Sequence, residues 1–336
     1  MSSSGALPIA IVVMLALNAY AVLAGADFGG GVWDLFATGR NRDLQRRLIA
    51  DAMSPVWEAN HVWIILVVVL LFTCFPPVFA RFAIVLHVPV TLMLIGIVLR
   101  GSAFIFRSYE SRGDEVQRRW GRLFAVASLI TPLLLGTIVG AVASGKVTAP
   151  VEGAGFVANY VAPWATPFAF AVGGFALCLF GFLAAVYLTV EAKEPDLRED
   201  FRRRALVSGV AVLASAGIAL LFSLRKSGAP LMGHGLTEAR HALPVQVSVA
   251  VAAITAMVAL WFRRFVLARV AAVAQVSLIL WGWALSQYPY LIPPDLTIQA
   301  TVAPWVTIRL VLVALGAGAV VLVPSLWYLF RVFKSR

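Results

Sequence analysis

Long apolar runs constrain this chain more than any other feature of its sequence. A helix that crosses about 30 Å of hydrocarbon needs about 20 consecutive, mostly apolar residues. Nine runs meet this requirement, so the sequence predicts an all-α, polytopic membrane protein with about nine transmembrane helices. The predicted helices lie near residues 8–28, 56–75, 79–106, 122–143, 165–191, 205–223, 243–262, 265–286 and 304–330.

The composition supports this interpretation. Hydrophobic residues make up 61% of the chain and charged residues only 13%, whereas soluble domains carry about 25% charged residues. So few charges cannot cover a water-facing surface, and we expect a single integral membrane domain over residues 1–336, surrounded by lipid. The first residues, Met-Ser-Ser-Ser-Gly, contain no basic segment. The first apolar run is therefore predicted to be a retained helix, not a cleaved signal.

The basic residues predict how the chain is oriented. Of the 27 Lys and Arg residues, 19 fall in alternate loops and the C-terminal tail, while the other set of loops holds five. Cytoplasmic loops carry the excess of Lys and Arg, so we expect the N-terminus outside and the C-terminus in the cytoplasm. The net charge of +11 is then a signal of topology. No basic aromatic platform accompanies it, and we expect no nucleic-acid partner.

The sequence offers no evident metal or haem site in this chain. Cys74 and Cys178 both lie inside apolar runs, which favours neither a disulfide framework nor zinc spacing. A haem needs an axial His or Met directed into a helix bundle. The four histidines show no paired arrangement, and His87, alone on an apolar helix, is predicted to be structural.

Four ionisable residues in the predicted spans form the candidate functional site. Each costs about 2.5–3.5 kcal/mol near the bilayer centre on insertion scales, so such residues indicate function by default. Asp27, Glu58, His61 and Arg100 fall at one depth, near the cytoplasmic ends of three consecutive helices. Such a cluster can collect and pass protons. The alternative is structural: Glu58 pairs with Arg100 to pin the helices, and His61 satisfies a backbone carbonyl.

Other residues indicate where the predicted helices end and pack. Asp34 and Glu191 lie at helix ends, where we expect them to be solvated. Gly25–Gly29 and Gly136–Gly140 have the spacing of small residues that lets helices approach closely. Pro89 is predicted to kink the third helix for packing reasons.

Five motifs resemble one known family, subunit II of the cytochrome bd-type quinol oxidases. Residues 24–29, Ala-Gly-Ala-Asp-Phe-Gly, are similar to the family's Asp-Gly-x-Asp-x-Gly at the end of the first helix. Residues 55–63, Pro-Val-Trp-Glu-Ala-Asn-His-Val-Trp, resemble its Pro-x-Trp-Asp-Gly-Asn-x-Val-Trp. Residues 75–80, 100–107 and 288–293 resemble its Phe-Pro-x-x-Tyr-Ala, Arg-Gly-x-Ala-Phe-Glu-Phe-Arg and Phe-Pro-x-Leu-x-Pro. The order and spacing of these motifs fit along the whole chain.

The resemblance implies an architecture and an activity. It implies two four-helix bundles plus one peripheral helix, in the bacterial cytoplasmic (inner) membrane. This subunit binds no cofactor itself and scaffolds subunit I, a partner that holds haem b and haem d, oxidises quinol and reduces oxygen to water. The resemblance also allows a small single-helix accessory subunit beside this heterodimer.

The resemblance further implies roles for individual residues. Glu58 takes the place of the acid through which cytoplasmic protons enter, with Asp27 and Arg100 nearby. Three neighbours on the second helix are expected at the interface with subunit I or along an oxygen route: Trp57, Asn60 and Trp63.

The chain also departs from the family pattern. Ala24 and Ile105 stand where the family has acids, Glu58 replaces Asp and Ala59 replaces Gly. Two ionisable groups are thus missing from the expected proton route, and His61 is a local replacement.

Two other functions remain open on the sequence. A transporter or channel would use the Asp27, Glu58, His61 and Arg100 cluster as its substrate or ion site. A non-catalytic scaffold of a divergent redox complex would explain the lost acids.

Overall fold

Helices account for almost all of the chain's ordered structure. The computed structural model describes residues 5–53, 57–109, 114–225 and 228–334, except for the side chains of 57–59, 107–109, 114–118, 329–330 and 333–334. The first helices are α1 (Ala6–Leu35), α2 (Arg42–Met53), α3 (Trp57–Cys74), α4 (Pro76–Val85), α5 (His87–Tyr109), α6 (Asp114–Ala143) and α7 (Gly155–Tyr160). There follow α8 (Pro167–Glu191), α9 (Pro195–Ser223), α10 (Pro230–Thr237), α11 (Ala242–Trp261), α12 (Phe265–Gln287), α13 (Ile298–Thr301) and α14 (Trp305–Lys334). Before α13, β1 (Tyr290–Ile292) and β2 (Leu296–Thr297) pair antiparallel.

The described residues contain eight helices that are long and apolar enough to cross a membrane, or up to nine if one bent pair forms a single span. The bent pair joins α3 to α4 at an angle of 117°. The prediction of one continuous helix over 79–106 is therefore wrong. Its first part belongs to α4, and α5 begins after Leu86, because the backbone breaks before His87 and not at Pro89.

Two differences at the first loop bear on the site. Helix α1 continues seven residues beyond the predicted end at residue 28, which carries Asp34 into the protein. The amphipathic helix α2 was not predicted, because it is too short and polar to resemble a span. Its buried residues Gln45, Ile49 and Met53 recur every four positions and so form one face.

Helix α1 lies at the centre of the molecule and packs on α3, α6, α8 and α12. The predicted close approach at Gly25–Gly29 is confirmed. A Cβ at Gly29 would lie 2.6 Å from the carbonyl carbon of Phe180 and 2.7 Å from Cβ of Ala184. The close approach at Gly136–Gly140 is confirmed as well, against Ala169 and neighbouring residues of α8.

The long helices form one network of contacts, in which α8 also packs on α1 and α6. Helices α1, α3, α5 and α6 are joined by the contacts α1–α3, α1–α6 and α5–α6, while α8, α9, α11 and α12 contact one another in sequence and through α8–α12. Helix α14 is almost entirely exposed along its apolar length. These contacts are compatible with two bundles and a peripheral helix, an arrangement that stays a prediction.

The loop ends of α1, α2 and α9 form a charge-rich face. Arg204 on α9 donates to the carbonyl oxygen of Phe36 at 3.2 Å and to Oε1 of Gln45 at 2.7 Å. Asp200, one turn earlier, accepts from the Gln45 amide at 3.1 Å. These contacts hold α2 against α9, next to the end of α1.

Candidate functional site

The site is built around Asp27, a carboxylate buried in the middle of the bundle. Asp27 on α1 is 4% exposed and Asn60 on α3 is 1% exposed. Nδ2 of Asn60 donates to Oδ2 of Asp27. Asn60 thus lies inside this chain beside the acid, in the first turn of α3. A role of Asn60 at the interface with subunit I or along an oxygen route stays a prediction.

A buried cation accompanies the carboxylate. Arg100 on α5 is 2% exposed, and its Nε donates to Oγ of Ser128 on α6 at 3.1 Å. The guanidinium carbon lies 4.8 Å from the ring centroid of Phe28 and 5.3 Å from that of Phe124, in cation–π geometry. The charges of Arg100 and Asp27 interact. Each charge therefore offsets part of the cost of burying the other.

His61 joins the site through aromatic contacts. Its ring centroid lies 6.0 Å from that of Tyr20 and 6.2 Å from that of Phe28, in edge-on arrangements. Tyr20 and Asp27 are seven residues apart on α1 and so share a face. The structure thus brings Asp27, His61 and Arg100 together around Phe28.

Two of the predicted residues lie at the start of α3, and a third lies further along the same helix. Glu58 and Trp57 lie in the first turn of α3, but their side chains fall outside the described part of the chain. Trp63 is half-buried and packs against the apolar core between α1 and α8.

A small cavity opens beside Asp27. It has a volume of about 70 Å³ and lies between α1, α2, α3 and α8, which is room for a few water molecules. Its polar lining residues are Asp27, Asn60, Tyr187 and Glu191. Glu191 is half-buried and faces this cavity, so the expectation that it is simply solvated is incomplete.

The expectation that Asp34 is solvated is wrong. The residue is 2% exposed, and its Oδ1 lies 3.8 Å from Nε of Arg46 on α2. The cause is the extension of α1, which places Asp34 under the unpredicted helix α2.

Sequence reasoning missed the groups that surround Asp27, His61 and Arg100. The hydrogen bond from Arg100 to Ser128 and the rings of Phe28 and Phe124 are long-range contacts that no spacing in the sequence reveals. The position of Tyr20, two turns before Asp27 on α1, is the one local signal that was available.

The comparisons with known proteins decide the family. The family profile for cytochrome bd terminal oxidase subunit II matches residues 6–333. The chain belongs to this family. It is a membrane-spanning subunit of a quinol oxidase, and subunit II of such an oxidase works in complex with a subunit I.

Named relatives agree with this placement. The chain is 23% identical over 322 residues to the putative cytochrome bd menaquinol oxidase subunit II of Bacillus subtilis, covering 94% of this chain and 91% of that protein. It is 31% identical over 137 residues to the cytochrome bd-I ubiquinol oxidase subunit 2 of Escherichia coli K12, covering 40% of this chain and 35% of that protein. The fold matches the bd oxidase structure from Geobacillus thermodenitrificans with a TM-score of 0.81 and 23% identity, over 98% of each chain.

Membership in a bd oxidase implies haems, and these fit the partner subunit better than the described part of this chain. The described residues contain no group of three or more His, Cys, Asp or Glu side chains that could hold a metal ion. His61 is edge-on to two aromatic rings, and Nδ1 of His87 contacts the carbonyl oxygen of Ile84 at 2.8 Å. Neither forms an axial pair for a haem. That this chain binds no cofactor stays a prediction.

Proposed function

We propose that this subunit II carries protons from the cytoplasm, through the cluster around Asp27, toward the oxygen-reducing site of its partner. Reduction of one O₂ to two waters takes up four protons and four electrons. Quinol supplies the electrons, and the protons must enter through the membrane protein. The single observation that carries the proposal is a buried carboxylate, Asp27, which lines a cavity within this subunit together with Asn60, Tyr187 and Glu191.

The surroundings of Asp27 suit this task. A bare carboxylate in hydrocarbon is costly, but the Asn60 amide and the Arg100 charge offset that cost. Waters in the cavity can then exchange protons with the carboxylate. A relay group must be neither exposed nor sealed in apolar surroundings, and Asp27 meets both conditions.

Glu58 completes the proposed route. It lies on α3 two residues before Asn60, so it begins at the same depth as Asp27. Nη2 of Arg100 is buried and has no hydrogen-bond partner among the described side chains. We propose Glu58 as a second acid of the route, on the same helix as Asn60.

The proposal extends to topology and partners. The charge-rich face lies on the cytoplasmic side of the membrane. The N-terminus lies outside and the C-terminus inside, as the distribution of Lys and Arg favours. The partner, subunit I, holds haem b and haem d. Trp57 and Trp63 lie toward that partner or along an oxygen route, and a small single-helix subunit and membrane lipid complete the assembly.

No structural observation favours the transporter alternative. A broken helix can mark a transport site, and the bent pair breaks at Phe75. That break is 15 residues along from Asn60, or about 20 Å at 1.5 Å per residue. The bend and the ionisable cluster are therefore at different depths. Membership in the oxidase family also argues against it.

Replacing Asp27 by Asn, which keeps the shape but not the acid, tests the proposal. We expect Asp27→Asn to lower oxygen-dependent quinol oxidation by roughly a hundredfold or more, the order that a positioned proton-transfer group typically contributes. Haem content and yield of the purified complex should be unchanged. Glu194→Gln, at an exposed acid outside the cavity, is the matched control. Normal turnover in Asp27→Asn would contradict the proton route.

A further inference from the structure

We propose that protons reach Asp27 through the cavity between α2 and α8, with Glu191 as the entry acid, and not past the position of Ile105. This inference rests on the proposed proton route and specifies where that route begins. It assigns a function to Glu191 and to the amphipathic helix α2.

The geometry of the cavity carries the inference. On α8 its lining runs from Ala184 to Glu191, and on α1 from Leu23 to Gly30. Each stretch covers eight residues, or about 10 Å along a helix. The lining of this one cavity thus includes both the buried acid Asp27 and the half-buried acid Glu191, in the last turn of α8.

Helix α2 forms the outer wall of this passage. Ile49, Ala52 and Met53 of α2 line the cavity, and α2 also contacts α8. The contacts of Gln45 with Arg204 and Asp200 fix α2 on the charge-rich face. Because both the last turn of α8 and α2 lie at that face, the passage begins where water and loop charges meet the bundle.

This chain lacks the two acids that the family has at the positions of Ala24 and Ile105. Protons therefore need another entrance, which we place at Glu191. Ile105 on α5 is 40% exposed on the surface of this chain, and Ala24 is fully buried in an apolar core cluster. Neither can carry a proton. Glu191, in contrast, shares one water-sized cavity with Asp27, and a carboxylate can pass protons through a few waters.

The proposed transfer is balanced at each step. Glu191 takes one proton from bulk water and releases one to a cavity water, and that water chain delivers one to the Asp27 carboxylate. Asp27 passes one proton on toward the partner subunit, and each donor is reprotonated from the side of Glu191, so no group changes its net protonation over a turnover. The waters and these two carboxyl groups form the entrance segment of the route, ahead of the proposed role of Glu58.

The test uses four variants of the complete oxidase complex. Glu191→Gln removes the entry acid, and Glu191→Asp restores a carboxyl group there. Ala52→Leu fills the cavity from a half-buried position, and Ala52→Ser is its small, polar control. Turnover with quinol, the KM for quinol and the haem content are measured for each, beside Asp27→Asn and Glu194→Gln.

The four variants should separate into two slow and two normal ones. Glu191→Gln and Ala52→Leu should each lower kcat at least roughly fivefold, with the KM for quinol and the haem content unchanged, while Glu191→Asp and Ala52→Ser stay near the parent. If Asp27→Asn is slow but Glu191→Gln and Ala52→Leu turn over normally, the proton route stands and this entrance is overturned. If Asp27→Asn itself turns over normally, the proposed function fails, and the entrance fails with it.

Discussion

At the scale of single residues, the protein solves the problem of placing charge inside a membrane bundle. Asp27 and Arg100 are each at most 4% exposed. The amide of Asn60, the hydroxyl of Ser128 and the aromatic faces around Arg100 share the task of compensating them. A carboxylate held in this way is suited to the proposed proton route.

Removing the buried cation should destabilise the subunit. We expect Arg100→Met to cost about 3–5 kcal/mol, because loss of one member of a buried charge pair leaves the other uncompensated. Arg100→Lys keeps the charge but loses the bond from Nε to Ser128, so its loss should be smaller. Thermal unfolding and the yield of the purified complex show whether Arg100→Met loses more stability than Arg100→Lys. An unchanged melting temperature in Arg100→Met would show that Arg100 does not support Asp27.

Glu58 can be tested by one isosteric and one conservative change. We expect Glu58→Gln to slow oxygen-dependent quinol oxidation without loss of assembly, because the amide cannot carry a proton. Glu58→Asp restores the residue that the family has at this position and should keep most of the turnover. Oxygen consumption by the purified complex measures both. Equal and normal rates in the two variants would remove Glu58 from the proton route.

At the scale of helices, close contact between α1 and α8 sets the position of Asp27. Gly29 lies two residues after Asp27 and meets the backbone of Phe180 directly. A shift of α1 away from α8 would therefore move the carboxylate relative to the cavity.

Adding one methyl group at this contact should be costly. We expect Gly29→Ala to destabilise the complex by about 1–3 kcal/mol, the usual cost of overpacking. Gly174→Ala is the control, since a Cβ there meets no atom of this chain within 4 Å, and Ala is the better helix former. Melting temperatures of the two complexes give the comparison. Equal melting temperatures would mean that α1 and α8 can separate without cost.

At the scale of the whole molecule, the sequence predicted the all-α membrane architecture well, because runs of about 20 apolar residues have few other uses. It also grouped Asp27, His61 and Arg100, and the structure brings these three residues together around Phe28. It did not predict the break before His87, because the apolar run continues across that break. It missed α2 and the cavity, because both depend on contacts between residues far apart in the chain.

The central claim is that this chain is a haem-free subunit II that serves a haem-bearing partner. The most direct measurement is to tag the chain, purify it gently from its native membranes, and record a reduced-minus-oxidised haem spectrum of the complex and of the chain expressed alone. The account predicts b- and d-type bands that accompany a second polypeptide, and none for the chain alone. Haem bands from the chain expressed alone would contradict the account. So would a chain that purifies from its native membranes without a partner and without haem.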